Sequence, residues 1–300
     1  MDTKVIHPLF SVLIANYNNG RFLQQAIESV LAQTYRNWEV IIVDDASSDN
    51  SFDIYDKYKD DNRFIFSFNE KNEGCGYTKR RCVELANGEI CGFLDPDDAL
   101  TVNALEIMIG EHLAHPSASL IHSDHYECDE KLTIISTYRG EQIPPNDCFL
   151  RFQHGVSHFA TFKRELYTQT IGINPCMTCA VDMDLYYLLD EVGSFVYTPN
   201  ILYYYRTGTG LNISLGENRY KAFAWDTISQ YNAALRRKWD IDKVFCPIVV
   251  SSLKYITGIV CEERVHQKEI SIRRSKTYMI GRLFTRPLKW IAERIKCSNY

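Results

Sequence analysis

No apolar run in this 300-residue chain approaches the roughly 20 residues a helix needs to cross a bilayer, so no membrane span is expected. The opening residues, MDTKVIHPLF, lack the apolar stretch of a secretory leader, and we expect a cytoplasmic chain. Internal repeats and low-complexity tracts are also missing, which argues against a repeat array. An excess of basic charge is lacking as well, since the formal net charge is −5. Residues 261–300 nevertheless hold ten Lys/Arg against four Asp/Glu, which leaves the rest of the chain with a net charge of −11. Such an acidic body argues against a nucleic-acid partner.

Ten cysteines without a leader read as reduced thiols. Cys176 and Cys179 form a single C-x-x-C, short of the two further ligands of a zinc site and outside the βαβ context of a redox site. Buried or half-buried thiols are the simpler reading. A hydrophobic fraction of 45% against 24% charged residues supports an ordinary core, either one large α/β domain with an appendage or two small domains.

Residues 9–15, LFSVLIA, form a continuous apolar run that suits a buried parallel strand. Phe22, Leu23, Ala26, Ile27, Val30 and Leu31 then recur at helical spacing. A second strand, 38–43, ends in Asp44-Asp45, with Ser47, Ser48 and Asp49 offering cap chemistry for a helix near 51–59. A third strand at 64–68, a helix near 76–87 and a fourth strand at 90–94 continue the rhythm of a doubly wound parallel sheet. Beyond Asp98 we expect a helix at 101–114, a strand near 118–123, a hairpin around 128–131, helices at 156–170 and 182–191, an extended 195–205, and only helices from 217 onward.

Ligands of an open α/β sheet sit outside the carboxyl ends of its strands. Ala15-Asn16-Tyr17-Asn18, Asp44-Asp45 and Asp95-Pro96-Asp97-Asp98 follow strands one, two and four, and so converge on one edge. One Asp at each junction is explained by turn or cap chemistry. Five over two junctions repel one another unless a cation intervenes, and hard carboxylate oxygens suit Mg²⁺ or Mn²⁺ together with substrate phosphates.

SVLIANYNNGRFLQQAIESVLAQTYRNWEVIIVDDASSDNS, NEGCGYTKRRCVELANGEICGFLDPDDAL, HFATFKRELY, VDMDLYYLL and ILYYYR occur in that order over residues 8–214, and in this the chain resembles the family 2 glycosyltransferases. The resemblance implies an α/β fold of the GT-A type, a Rossmann-like mixed sheet flanked by helices. The catalytic domain would span 1–215, with a nucleotide-sugar half at 1–98 and an acceptor half at 99–215, and a helical extension would fill 216–300. It also implies an inverting transfer of sugar from a nucleoside-diphosphate donor, UDP-linked by the family's habit, in bacterial surface-polysaccharide synthesis. Ala15, Asn16, Tyr17 and Asp45 would hold the base, Asp95 the ribose and the metal, and Asp97 would be the principal ligand of a divalent Mn²⁺ or Mg²⁺ ion. Lys79 would touch base or phosphate, or else lie on a solvated helix face beside Arg80 and Arg81. Asp182 matches the family's base, which takes the acceptor proton while the hydroxyl attacks the anomeric carbon. Asp184, two residues on, reads as a charge in the first turn of the helix.

Two family features are missing. Val181 stands where a Glu usually precedes the base, and Thr207-Gly208-Thr209-Gly210 follows Tyr205-Arg206 where a metal-binding His is common. His154 or His158 would be its substitute, and the Gly-x-Gly reads as a loop closing over the donor. In the tail, 276–296, Leu288, Ile291, Ala292 and Ile295 share helical spacing with basic residues elsewhere and Trp290 among them. That pattern resembles an in-plane helix on an anionic membrane, fitting a peripheral enzyme with a saccharide or lipid-linked saccharide acceptor. The competing readings are a non-catalytic nucleotide-sugar-binding or scaffold protein and a sugar-1-phosphate nucleotidyltransferase. The latter is disfavoured because ANYNNGRF lacks a Gly-rich basic phosphate loop.

Overall fold

A computed structural model of the chain describes residues 7–152, 155–209, 219–247, 250, 268 and 270. They fall into two units, Met1–Trp239 and Asp240–Tyr300. In the second, a π-helical turn, Ile241–Phe245, is capped by the Asp240 carboxylate accepting from the Lys243 N–H at 3.2 Å. The basic tail at 276–296, His154 and Gly210 lie outside the described residues.

The first unit is built on one mixed sheet of strands β1 (Phe10–Asn16), β2 (Trp38–Asp44), β3 (Phe64–Phe68), β4 (Ile90–Phe93), β5 (Ala99–Leu100), β6 (Ala118–Cys128), β7 (Ile134–Tyr138), β8 (Ala160–Lys163) and β9 (Ser194–Arg206). Their spatial order is β3-β2-β1-β4-β8-β6-β9-β5, with β7 added to β6. The four leading strands are mutually parallel, as their apolar runs predict. Helix α1 (Gly20–Leu31) buries Phe22, Leu23, Ala26, Ile27 and Val30 on Phe10, Val12 and Ile14 of β1 and on Val40 and Ile42 of β2. Each such fully buried aliphatic side chain contributes about 1.5–3 kcal/mol. Short α2 (Ser51–Tyr55) follows β2, and α3 (Cys75–Leu85) packs on β1 and β2. The remaining helices are α4 (Ala104–Ala114), α5 (Phe149–Phe152), α6 (Arg164–Tyr167), α7 (Val181–Leu189) and α8 (Arg219–Arg236). Among the described residues no helix is long and apolar enough to cross a membrane.

The helix expected over 156–170 is not formed. Residues 160–163 are strand β8, which pairs antiparallel with both β4 and β6, and only Arg164–Tyr167 are helical. Four residues are too few to display a period of two, and the site in mid-sheet, with Thr161 and Phe162 both buried, overrides helical propensity.

The chain runs from β1 outward to β3 and then crosses to β4 on the other side of β1. Loops after β1 and β4 therefore diverge, and a crevice opens at the carboxyl ends of the two strands.

Candidate active site

A cleft of about 680 Å³ occupies that crevice, and Ala15, Asn16, Tyr17, Asp45, Lys79, Asp95, Asp97 and Asp182 all line it. Their side chains are held in different ways. Asn16 is 1% exposed, and its two amide hydrogens are shared among Tyr55 OH (2.8 Å), Ser51 Oγ (2.9 Å) and Asp44 Oδ2 (3.1 Å), all within reach of Nδ2. Asp44 also accepts from Tyr55 OH at 2.6 Å and from the Ser47 N–H at 2.7 Å. Asn16 and Asp44 thus form a buried hub that locks the ends of β1 and β2, leaving Tyr17, 47% exposed, to face the cleft.

Asp45 turns the other way. It accepts from Asn69 Nδ2 and the Glu73 N–H, each at 2.8 Å, and from the Gly74 N–H at 2.9 Å. A carboxylate offers about four acceptor positions, so one remains for a ligand. Gly74, at φ +95°, leads the chain into α3 in a conformation other residues rarely adopt. Two residues later the Gly76 N–H donates to the Met177 carbonyl at 2.9 Å, and a Cβ on Gly76 would lie 2.5 Å from the Asn174 oxygen. This close approach joins the start of α3 to the loop that delivers α7.

Lys79 of α3 meets Asp95 with Nζ 3.1 Å from Oδ1. Burial alone would raise the Asp95 carboxyl, but the Lys79 ammonium holds it below the ordinary carboxylate range. Burial likewise opposes the Lys79 charge, and Asp95 more than compensates, lifting its pKa above that of an ordinary lysine. Asp97, half-buried and beside Asp95, is pushed up to about 6 by partial burial and the Asp95 charge. Asp98 is held well above the ordinary carboxylate range, by burial and by both neighbouring carboxylates. Its oxygens accept from the Arg206 N–H at 2.6 Å and from Tyr203 OH at 2.8 Å, so its place is structural.

Arg206 is a residue whose position sequence reasoning missed. It is 2% exposed, with its guanidinium over the Phe22 ring at 4.5 Å and donating to Gln25 Oε1 at 2.8 Å and to the Asp97 and Glu130 carbonyls. The pairing with Tyr205 in ILYYYR was its only signal. Cys75 and Thr178 also line the cleft unforeseen, and burial pushes the Cys75 thiol up to about 11, which keeps it protonated. Of the C-x-x-C pair, Cys176 is exposed and Cys179 buried.

Asp182 is the second residue of α7, whose entry is set by Ala180 in the left-handed conformation. Asp184 is buried and accepts from the Asn174 N–H at 2.9 Å, anchoring the same loop. Behind the cleft, Asp182, Lys79, Asp95 and His158 also border an inner cavity of about 20 Å³ walled by Phe93, Phe162 and Leu185. That is room for about one water-sized group. Burial pulls the His158 pKa down and leaves the imidazole neutral.

Asp226 of α8 accepts from Tyr187 OH at 3.0 Å and Gln230 Nε2 at 2.7 Å. Burial pushes its carboxyl up to about 6, and the Asp182 charge adds to this. With a folded-state pKa above the unfolded value, Asp226 contributes stability that is complete at low pH and lost as pH rises through about 6. Asp226→Asn is expected to raise Tm at pH 8 and to match the wild type below the unfolded carboxylate range, as thermal melts across that interval will register.

The sequence profile of glycosyl transferase family 2 matches residues 11–171, more than half of the chain. The chain belongs to glycosyltransferase family 2. This glycosyltransferase chain is 30% identical over 196 residues to chondroitin synthase of Escherichia coli, a match covering 65% of this chain and 28% of that protein. It therefore spans less than a third of that synthase. Its fold is shared with S. aureus TarS in complex with UDP-GlcNAc (TM-score 0.58, 18% identity, 73% of this chain and 66% of that one). It is shared too with a Pyrobaculum calidifontis mannosyltransferase in complex with GDP-Man and Mn²⁺ (TM-score 0.53, 13% identity, 92% and 83%). These are GT-A architectures, in agreement with the fold expected from the sequence.

The cleft's chemistry suits a divalent ion. No group of three or more His, Cys, Asp or Glu side chains gathers to cage a metal among the described residues. Asp97, however, has a raised pKa beside the charged Asp95, the condition a hard cation relieves. Mg²⁺-type ions need only one or two carboxylates plus phosphate oxygens.

Proposed function

We propose that this glycosyltransferase inverts the anomeric carbon while moving a sugar from a UDP-linked donor to an acceptor hydroxyl. The observation that supports this best is the gathering of Asp45, Lys79, Asp95, Asp97 and Asp182, from distant parts of the chain, around one cleft. Asp45 keeps one acceptor position for the imide N–H of a uracil, and exposed Tyr17 offers a ring face to the base. The 1–98 half holds the nucleotide, with Asp95, oriented by Lys79, at the ribose. Asp97, with Asp95, would hold Mn²⁺ or Mg²⁺ against the diphosphate. When bound, the ion offsets the charge that builds on the departing diphosphate. The 99–215 half brings Asp182 to the acceptor hydroxyl, whose proton it takes as the new bond forms opposite the leaving group. With Val181 and Gly208 in place of the family's Glu and His, the work rests on these aspartates and on His158 beside them.

The acceptor class we favour is a growing saccharide or lipid-linked saccharide of a bacterial surface polysaccharide, the product class of the chondroitin synthase relative. The basic tail at 276–296 would hold the enzyme to the cytoplasmic face of an anionic membrane.

Thermal unfolding with a panel of nucleoside diphosphates, each with and without Mn²⁺, tests the donor and the metal together. UDP with Mn²⁺ at about 100 times its Kd is expected to stabilise the fold by about 2.7 kcal/mol, with much less from either alone. A shift with GDP instead replaces the donor class, and no shift with any nucleotide favours a scaffold.

A further inference from the structure

The three consecutive tyrosines of β9 are divided by strand alternation. Tyr204 pairs with Tyr126, rings 5.4 Å apart, on one face. Tyr203 and Tyr205 turn to the other, where His158 stacks on Tyr203 at 5.1 Å and on Tyr205 at 5.5 Å with planes 7° apart. His125, opposite Tyr203 in the β6–β9 register, lies 5.9 Å from His158 and 5.5 Å from Tyr205. Its far side stacks on Tyr138 at 5.0 Å and 12°, because Tyr138 faces His125 across the β6–β7 ladder. His158 and Tyr205 line the cleft, whereas Tyr138 is 41% exposed. A continuous row of rings thus leads from the reaction centre to solvent.

Charge on the two imidazoles of the row is disfavoured by burial. Burial pulls His125 down to about 4 and His158 below its ordinary value, and His125 Nδ1 is engaged with Ser157 Oγ at 2.6 Å. Glu127 stands on the same face opposite Tyr205 and Ser136, and accepts from the Ser136 hydroxyl. An exposed ring face at Tyr138 and another at Tyr205 on the cleft, bridged by the buried edge-on His125 and with a carboxylate at their margin, match a pair of pyranoses. The C–H face of each carries slight positive charge and packs on the negative face of a π system, while the rim hydroxyls need acceptors.

We propose that this row is a binding subsite for an oligosaccharide acceptor, with the reacting sugar beside Tyr205 and the next sugar, toward solvent, resting on Tyr138. The assignment rests on the transferase reading above, and its test separates the two. Wild type, Tyr138→Ala and Tyr138→Phe are assayed with UDP-sugars and with p-nitrophenyl mono- and disaccharide glycosides of glucose, galactose and N-acetylglucosamine. Tyr138 lies on the edge strand, so both variants should fold. Tyr138→Ala should melt slightly lower because it loses the stack on His125, and Tyr138→Phe, which keeps the ring, should match the wild type. In the wild type the second sugar is expected to lower acceptor KM. Tyr138→Ala should raise KM for the disaccharide roughly five- to tenfold, the scale of one lost aromatic contact. Monosaccharide KM, donor KM and donor hydrolysis should not change, and Tyr138→Phe should restore the disaccharide value. No gain from a second sugar with any glycoside, or equal effects on mono- and disaccharide, overturns the subsite while donor cleavage leaves the transferase reading standing. Failure to cleave any nucleotide sugar overturns both.

Discussion

Asp182→Asn is expected to remove nearly all sugar transfer and leave nucleotide affinity intact. The substitution keeps the size and shape of the side chain at the second position of α7, so the helix entry at Ala180 and the Asp184 anchor to the Asn174 N–H persist. What it removes is a carboxylate able to take a proton. A positioned general base contributes about 10²–10⁴ in rate, and kcat should fall by that range. The nucleotide subsite proposed above draws on other elements, the loops after β1 and β2 and the start of α3, so the thermal shift with UDP and Mn²⁺ should survive. That split between catalysis and binding separates a base from a residue that holds the fold together. It also separates an enzyme from a scaffold, which would have no turnover to lose. Loss of the UDP shift along with activity would move Asp182 into the donor site. Retained turnover would transfer the base role to neutral His158, which borders the same inner cavity.

The four leading strands and their junctions were legible in the chain because their signals are local. Each buried strand is an unbroken apolar run, each junction a polar cluster, and the crevice follows from where those clusters must meet. Legibility ended where two identical residues part company. Asp44 and Asp45 are neighbours in a strand end, yet one is absorbed by Asn16 and Tyr55 and the other faces the cleft. Asp97 and Asp98 divide in the same manner, and only Tyr203 and Arg206, more than a hundred residues away in the chain, decide which is structural. Strand β8 was hidden for a related reason. Its conformation comes from β4 and β6 on either side, and its four residues show no period of their own.

Arg206→Met is expected to be the most damaging single change to the fold around the cleft. The guanidinium is buried and joins three separate pieces of chain: Phe22 and Gln25 on α1, Glu130 in the β6–β7 turn, and the Asp97 carbonyl. Methionine has a comparable apolar stem and can cover Phe22, but it donates nothing. Gln25 and two carbonyls would lose their donor, and the Asp95, Asp97 and Asp98 carboxylates would lose the nearest positive charge on β9. A hydrogen bond from a charged donor contributes about 1.5–3 kcal/mol, and three of them, all part-buried, are lost here, so the loss is several kcal/mol. Denaturant melts should show a loss of that order, and Mn²⁺ with UDP should recover part of it, because a bound cation replaces some of the missing charge. Lysine should not rescue the site. It carries the charge but lacks the planar fork that reaches Gln25 and both carbonyls at once. An Arg206→Lys protein as stable as the wild type would show that the charge alone holds the aspartate turn in place.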